Sequence, residues 1–184
     1  MKPTFISTGD ILFFQSRTLL GRCIRFFTQV PFFESRTVIN HVAIAVEGGY
    51  APNIEIVEAL HTVKQHKLSK AYPDYDGKIF VATINHLPID YPHIAAKRAK
   101  SYVGRKYGYA KLVAHFLDWC LLGANVFRRL CFMDIYPICS WVVAYAYEPL
   151  IGIRAFGVEN SAASPDDIWD WCQKNCASEC IREL

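Results

Sequence analysis

Two apolar runs, His41-Val42-Ala43-Ile44-Ala45-Val46 and Ile54-Glu55-Ile56-Val57-Glu58-Ala59, flank the turn-rich segment Gly48-Gly49-Tyr50-Ala51-Pro52-Asn53. This arrangement constrains the fold more than any other feature, because it predicts an antiparallel hairpin with a long loop. Ile11 to Phe14, introduced by the turn pair Gly9-Asp10, reads as another strand, and Ile79 to Ile84 as a further one. From Tyr91 onward the periodicity turns helical. Helices are predicted over Ile94 to Tyr102, Lys111 to Met133, and Cys139 to Tyr147, the last stopped by Pro149 and Gly152. A final helix opens at Ser164-Pro165-Asp166-Asp167, which offers an N-cap, a proline at the first helical position and acids in the first turn. A helix over Leu19 to Val30 ends at Pro31, where Phe26, Phe27, Phe32 and Phe33 crowd one bend. The fold class is α+β, with strands clustered early.

The 184 residues are the size of one domain, so a single unit over 1–184 is expected, with no need of a disulfide or metal staple. A hydrophobic content of 52% against 20% charged residues excludes disorder. The net charge is +3 and the basic residues are scattered, so nucleic acid is not an expected partner. Lys2-Pro3-Thr4 leads to Gly9-Asp10 without a secretory apolar region, which points to a cytoplasmic chain. Leu112 to Phe127 is the most apolar stretch, yet it carries His115 and Asp118 and closes at Arg128-Arg129, so it reads as a buried or surface-seeking helix with peripheral membrane contact conceivable. Seven cysteines, an odd number, fit a reducing compartment. Cys172, Cys176 and Cys180 recur every four residues and read as a packing stripe beside Trp169 and Trp171, with a metal site as the competing reading.

The informative polar residues are those that interrupt apolar elements. Glu58 follows Ile54 and Ile56 on one strand face, where an unpaired acid is costly, so it needs a partner. If Val46 pairs with Ile54 or Asn53, position 41 falls opposite 59 or 58, which brings His41 beside Glu58; a slip of one residue would separate them. A carboxylate beside an imidazole fixes its tautomer and stabilises the imidazolium, and such a pair calls for a nucleophile. Cys139 follows Tyr136-Pro137-Ile138 and opens an apolar helix, so its sulfur is expected at a helix N-terminus, where the dipole and an imidazolium favour the thiolate. Backbone N–H groups there could hold an oxyanion. The plainer alternatives are a strand-start histidine facing solvent and an edge carboxylate. Cys23, Cys120 and Cys131 read as packing thiols. His66, His86 and His93 read as ordinary surface residues, as does His61, although it is also a rival orienting group three residues past Glu58.

Six short motifs then stand in order: Gly9-Asp10-Ile11-Leu12-Phe13, Asn40-His41-Val42-Ala43-Ile44, Ile56-Val57-Glu58-Ala59, Gly104-Arg105-Lys106-Tyr107-Gly108-Tyr109, Ile138-Cys139-Ser140-Trp141-Val142-Val143 and Ser164-Pro165-Asp166-Asp167-Ile168. Together they resemble the NlpC-type papain-like cysteine hydrolases. The order histidine, acid, cysteine resembles the circularly permuted branch that includes YiiX-like proteins and, more distantly, lecithin:retinol acyltransferase-like enzymes. The resemblance implies a small barrel-like antiparallel sheet packed on the nucleophile helix, with Cys139 as nucleophile, His41 as general base and Glu58 as third polar residue. It implies no cofactor and no metal. A peptide or cell-wall peptide amide is the expected substrate; acyl lipids, in transfer or hydrolysis, are the alternative, and a lipid-binding module without turnover is a third. The long apolar stretch between Tyr109 and Cys139 departs from the pattern and could cover the site or seek a membrane.

Overall fold

In a computed structural model the described residues are 4–16, 39–106, 117 and 138–184. The expected helices over 19–30 and 111–133, the phenylalanine bend, and Cys23, Cys120 and Cys131 lie outside them. The chain opens with β1 (Phe5–Ile6), β2 (Ile11–Ser16), β3 (His41–Glu47), β4 (Gly49–Tyr50), β5 (Glu55–Ala59) and β6 (Val63–Lys67). It continues through α1 (Leu68–Ala71), β7 (Gly77–Ala82), α2 (Tyr91–Ser101), α3 (Cys139–Ile151), α4 (Pro165–Asn175), a 3₁₀ turn (Ser178–Cys180) and β8 (Ile181–Glu183).

Six strands pair antiparallel in the order β6-β5-β3-β2-β7-β8, and β1 pairs separately with β4. β2 and β3 lie at the centre, covered on both faces, which is why Ile11-Leu12-Phe13-Phe14 is a continuous apolar run rather than an alternating one. One face of the sheet, with Ile11, Phe13, Val42, Ile44 and Val57, packs against Ala95, Ala99, Val142, Val143 and Ile168 of α2, α3 and α4. The other, with Leu12, Phe14, Ala43, Ala45 and Ile56, is covered by Ile6, Ile54 and Leu68. The expected barrel-like closure differs from the observed ladder, which is open between its edges β6 and β8 among the described residues.

α3 crosses β3 and β5 and is anchored at both ends of its buried face. The Tyr147 hydroxyl donates to the Gly9 carbonyl in the turn before β2, and the Trp141 ring meets Tyr102, at the end of α2, edge-on at 4.9 Å. Gly9 itself has φ +89°, and a Cβ there would stand 2.4 Å from Pro92 Cβ, so this turn demands glycine on both counts. The C-terminal strand is tied to the same turn, since Arg182 Nη2 lies 3.1 Å from the buried Asp10 carboxylate.

Several boundaries differ from those expected. α3 does not stop at Pro149 but runs to Ile151, since Pro149 falls in the last turn, and Gly152 N–H still donates to Glu148 O. β7 spans Gly77–Ala82, where a strand over 79–84 is expected. The hairpin loop contains β4, which pairs with β1. β6 was not foreseen, since Val63-Lys64-Gln65-His66-Lys67 is a polar edge strand whose outward residues hide its alternation. Cys180 lies beyond α4 in the 3₁₀ turn and Cys176 is the C-cap of α4, so Cys172 is the one member of the cysteine stripe that the helix itself carries. Of these, Cys172 and Cys176 are buried and hydrogen-bond to each other, which pushes the Cys172 thiol up and the Cys176 thiol down.

α4 begins as its sequence dictates. Ser164 Oγ accepts from Asp167 N–H at 3.1 Å while the Asp167 carboxylate accepts from Ser164 N–H at 2.8 Å, a reciprocal capping box. Ser164→Ala is expected to cost about 1 kcal/mol, read as a lowered urea midpoint with an unchanged m-value.

Candidate functional site

Glu58 is the centre of the site. It stands on β5 with its side chain fully buried, 0% exposed, and strands on both sides supply its partners. The β3–β5 register pairs Ile44 with Val57 and Ala45 with Ile56, so by extension Ala43 lies opposite Glu58 and His41 one diagonal step away on the same face. On the other side Glu58 pairs with Lys64 and Ile56 with His66, which places His66 at the matching diagonal position. Diagonal neighbours are within reach of long side chains. The hairpin register therefore differs from the one expected, carrying a bulge between Ala45 and Glu47, but its parity is the one that leaves His41 and Glu58 on one face.

His41 Nε2 hydrogen-bonds to Glu58 Oε2. His66 Nε2 lies 2.6 Å from Glu58 Oε1, and the Tyr72 hydroxyl donates to Glu58 Oε2 at 2.6 Å. Both carboxylate oxygens are thus engaged. Burial works to raise the Glu58 pKa, yet the His41 bond and charge, followed by the bonds from His66 and Tyr72, hold it down to about 2. The Tyr72 phenol is pushed up by burial and by the Glu58 charge, so it stays a donor.

Cys139 is the first residue of α3 and is 6% exposed. His41, the first residue of β3, is the imidazole whose pKa its sulfur raises. Since Nε2 is spent on Glu58, Nδ1 is the ring nitrogen left for the thiol. Burial works to lower the His41 pKa, but the Cys139 sulfur first and the Glu58 carboxylate second override it and push it up to about 10. The imidazole is flanked by the Phe14 ring at 5.4 Å, which in turn lies 4.6 Å from Tyr72. Ile138, the N-cap residue of α3, makes no side-chain cap bond, so the first-turn N–H groups beside Cys139 are not taken up by a capping side chain.

The three residues singled out from the sequence are brought together. Two others were missed. His66, expected at the surface, is a direct partner of Glu58 because β6 docks beside β5; recognising β6 as a strand would have been the signal. Tyr72 follows α1, and nothing in its sequence surroundings marks it. His61, the rival orienting group, is exposed, whereas His41, His66 and Tyr72 hold the Glu58 carboxylate. Among the described residues no group of three or more His, Cys, Asp or Glu is arranged to hold a metal ion, and none of their helices is long and apolar enough to cross a membrane.

No protein family matches the chain by sequence, and no curated protein does. A solved structure does. The crystal structure of metalloprotein YiiX from Escherichia coli O157:H7 is similar at a TM-score of 0.58 and 18% identity, over 97% of this chain and 96% of that one. The chain therefore has a YiiX-like fold, a mixed α+β architecture built on antiparallel sheets. At this identity the likeness concerns the fold alone.

Proposed function

We propose that the protein is a cysteine hydrolase of papain-like type with circularly permuted order, acting on amide bonds. One observation carries this reading: the imidazole that hydrogen-bonds the buried Glu58 carboxylate is also raised in pKa by the Cys139 sulfur at the start of a helix. In the reaction the Cys139 thiolate attacks the carbonyl carbon, and the first-turn N–H groups of α3 hold the oxyanion. The C–N bond breaks as the His41 imidazolium gives its proton to the leaving amine. Water then attacks the thioester, His41 takes a proton from it, the C–S bond breaks, and acid and thiolate are released. Glu58 keeps the imidazole oriented and its cation stabilised throughout.

A peptide or cell-wall peptide amide is the proposed substrate. An acyl lipid, met by peripheral membrane contact, would use the same thioester, with an amine or lipid hydroxyl as acceptor in place of water. The similar structure is of a metalloprotein, but the residues here do not fit a metal. Both histidines direct Nε2 at Glu58, and both Glu58 oxygens are engaged by them and by Tyr72, so the donors face one another instead of converging on a common point.

The test is to trap the acyl-enzyme. Incubation with p-nitrophenyl acetate should give a burst of nitrophenolate and an acetyl group mapped to Cys139, absent in His41→Ala. Acetylation spread over the several cysteines, or independent of His41, would overturn the proposal.

A further inference from the structure

His66 and Tyr72 have no part in the scheme above, yet they contact its carboxylate more closely than a packing role requires. We propose that His66 and Tyr72 are positioning residues that hold Glu58 in place as the partner of His41, making the site a cluster of five side chains rather than three. The inference rests on the reading of Cys139, His41 and Glu58 as a catalytic set.

An ionised acid fully out of water requires several hydrogen-bond donors, and one imidazole leaves most of its lone pairs unserved. Glu58 has His41 and the Tyr72 hydroxyl on Oε2 and His66 on Oε1. With His41 on one diagonal and His66 on the other, the carboxylate is clamped across three adjacent strands and cannot swing away from His41 without breaking the His66 bond. Tyr72 fixes the same oxygen that His41 uses, and its ring packs on Phe14 and Tyr75, at 4.6 and 5.3 Å, so the hydroxyl is itself held in place. His66 is 18% and His41 17% exposed while Glu58 between them is 0% exposed, so the carboxylate is the sealed centre of the cluster.

The charged and titratable groups facing Glu58 are His41 from β3, His66 and Lys64 from β6, where Lys64 is the cross-strand partner of Glu58, and Tyr72 with Tyr75 behind it after α1; Cys139 of α3 acts through His41. Lys64 is exposed. Tyr72 and His66 each favour the ionised carboxylate, so removing either lets Glu58 take up a proton at higher pH, after which it no longer stabilises the His41 cation.

The experiment follows Cys139 labelling by dithiodipyridine, a disulfide reagent that remains reactive in acid, between about pH 1.5 and pH 7. Wild type, His66→Leu, Tyr72→Phe and His66→Gln are compared, with thermal melts at neutral pH as the folding check. The acid limb of the labelling profile is expected to move up by about one pH unit or more in His66→Leu and Tyr72→Phe. His66→Gln, whose amide can still donate to Oε1, should restore it. Variants that melt lower but keep the wild-type acid limb would show that the two residues only pack, and would overturn the inference while leaving the catalytic set standing. Wild-type labelling that is the same in His41→Ala would overturn the catalytic set and the inference with it.

Discussion

Cys139→Ala should remove all acyl-enzyme formation and lower amide turnover by on the order of 10⁴-fold or more, since the bond-forming atom is gone and the remaining groups supply only binding and oxyanion stabilisation. Glu58→Gln should lose less, on the order of 10²-fold, because the imidazole keeps its contact with Cys139 and the glutamine carbonyl can still accept from Nε2. The two variants are compared in one assay with one amide substrate. Wild-type turnover in both would remove the basis for assigning these residues to catalysis. The difference between them has a structural cause: Cys139 is the reacting group at the head of α3, whereas Glu58 acts one residue away, through His41.

The second large effect is on stability and is confined to a pH window. Glu58 is held at about 2, below its ordinary 4.5, so its contribution is present above about pH 4.5 and is lost as pH falls toward 2. His41 is raised to about 10 from 6.5, so its contribution is complete below about pH 6.5 and is lost as pH rises toward 10. Both are fully present only between these limits, near pH 4.5 to 6.5. Glu58→Leu leaves a mostly buried imidazolium with only the Cys139 sulfur beside it, strips His66 and Tyr72 of their acceptor, and should cost about 3 kcal/mol there. The deficit should shrink on either side of that window, because the wild-type pair dissolves as the carboxylate is protonated or the imidazole loses its proton. Urea unfolding of both proteins across the pH range measures it, and a deficit independent of pH would mean that Glu58 stabilises by packing alone.

The parts of this fold that could be read from the chain are those with unshared local signals. The hairpin of β3 and β5 and the start of α4, with its N-cap serine, proline and first-turn acids, declare themselves through apolar runs and short-range signals. Glu58 was legible for the same reason, being an acid amid buried neighbours. Its partnership with His41 depended on parity, and a bulge changed the register without changing which residues share a face. β6 was not legible because its lysines and glutamine meet solvent at the sheet edge, where packing leaves little pattern. Its loss from view took His66 with it. Tyr72 illustrates the harder limit, since its place beside Glu58 arises from how α1 turns the chain back over Phe14, a tertiary fact with no local code.

The central claim is that Cys139 and His41 form one thiolate–imidazolium unit. Iodoacetamide labelling of native protein, followed by peptide mapping across pH, tests it directly. The account predicts that Cys139 alone among the cysteines is alkylated readily at about pH 6, and that this reactivity disappears in His41→Ala. Cys139 labelling no faster than Cys172, Cys176 or Cys180, or equally fast without His41, would contradict it.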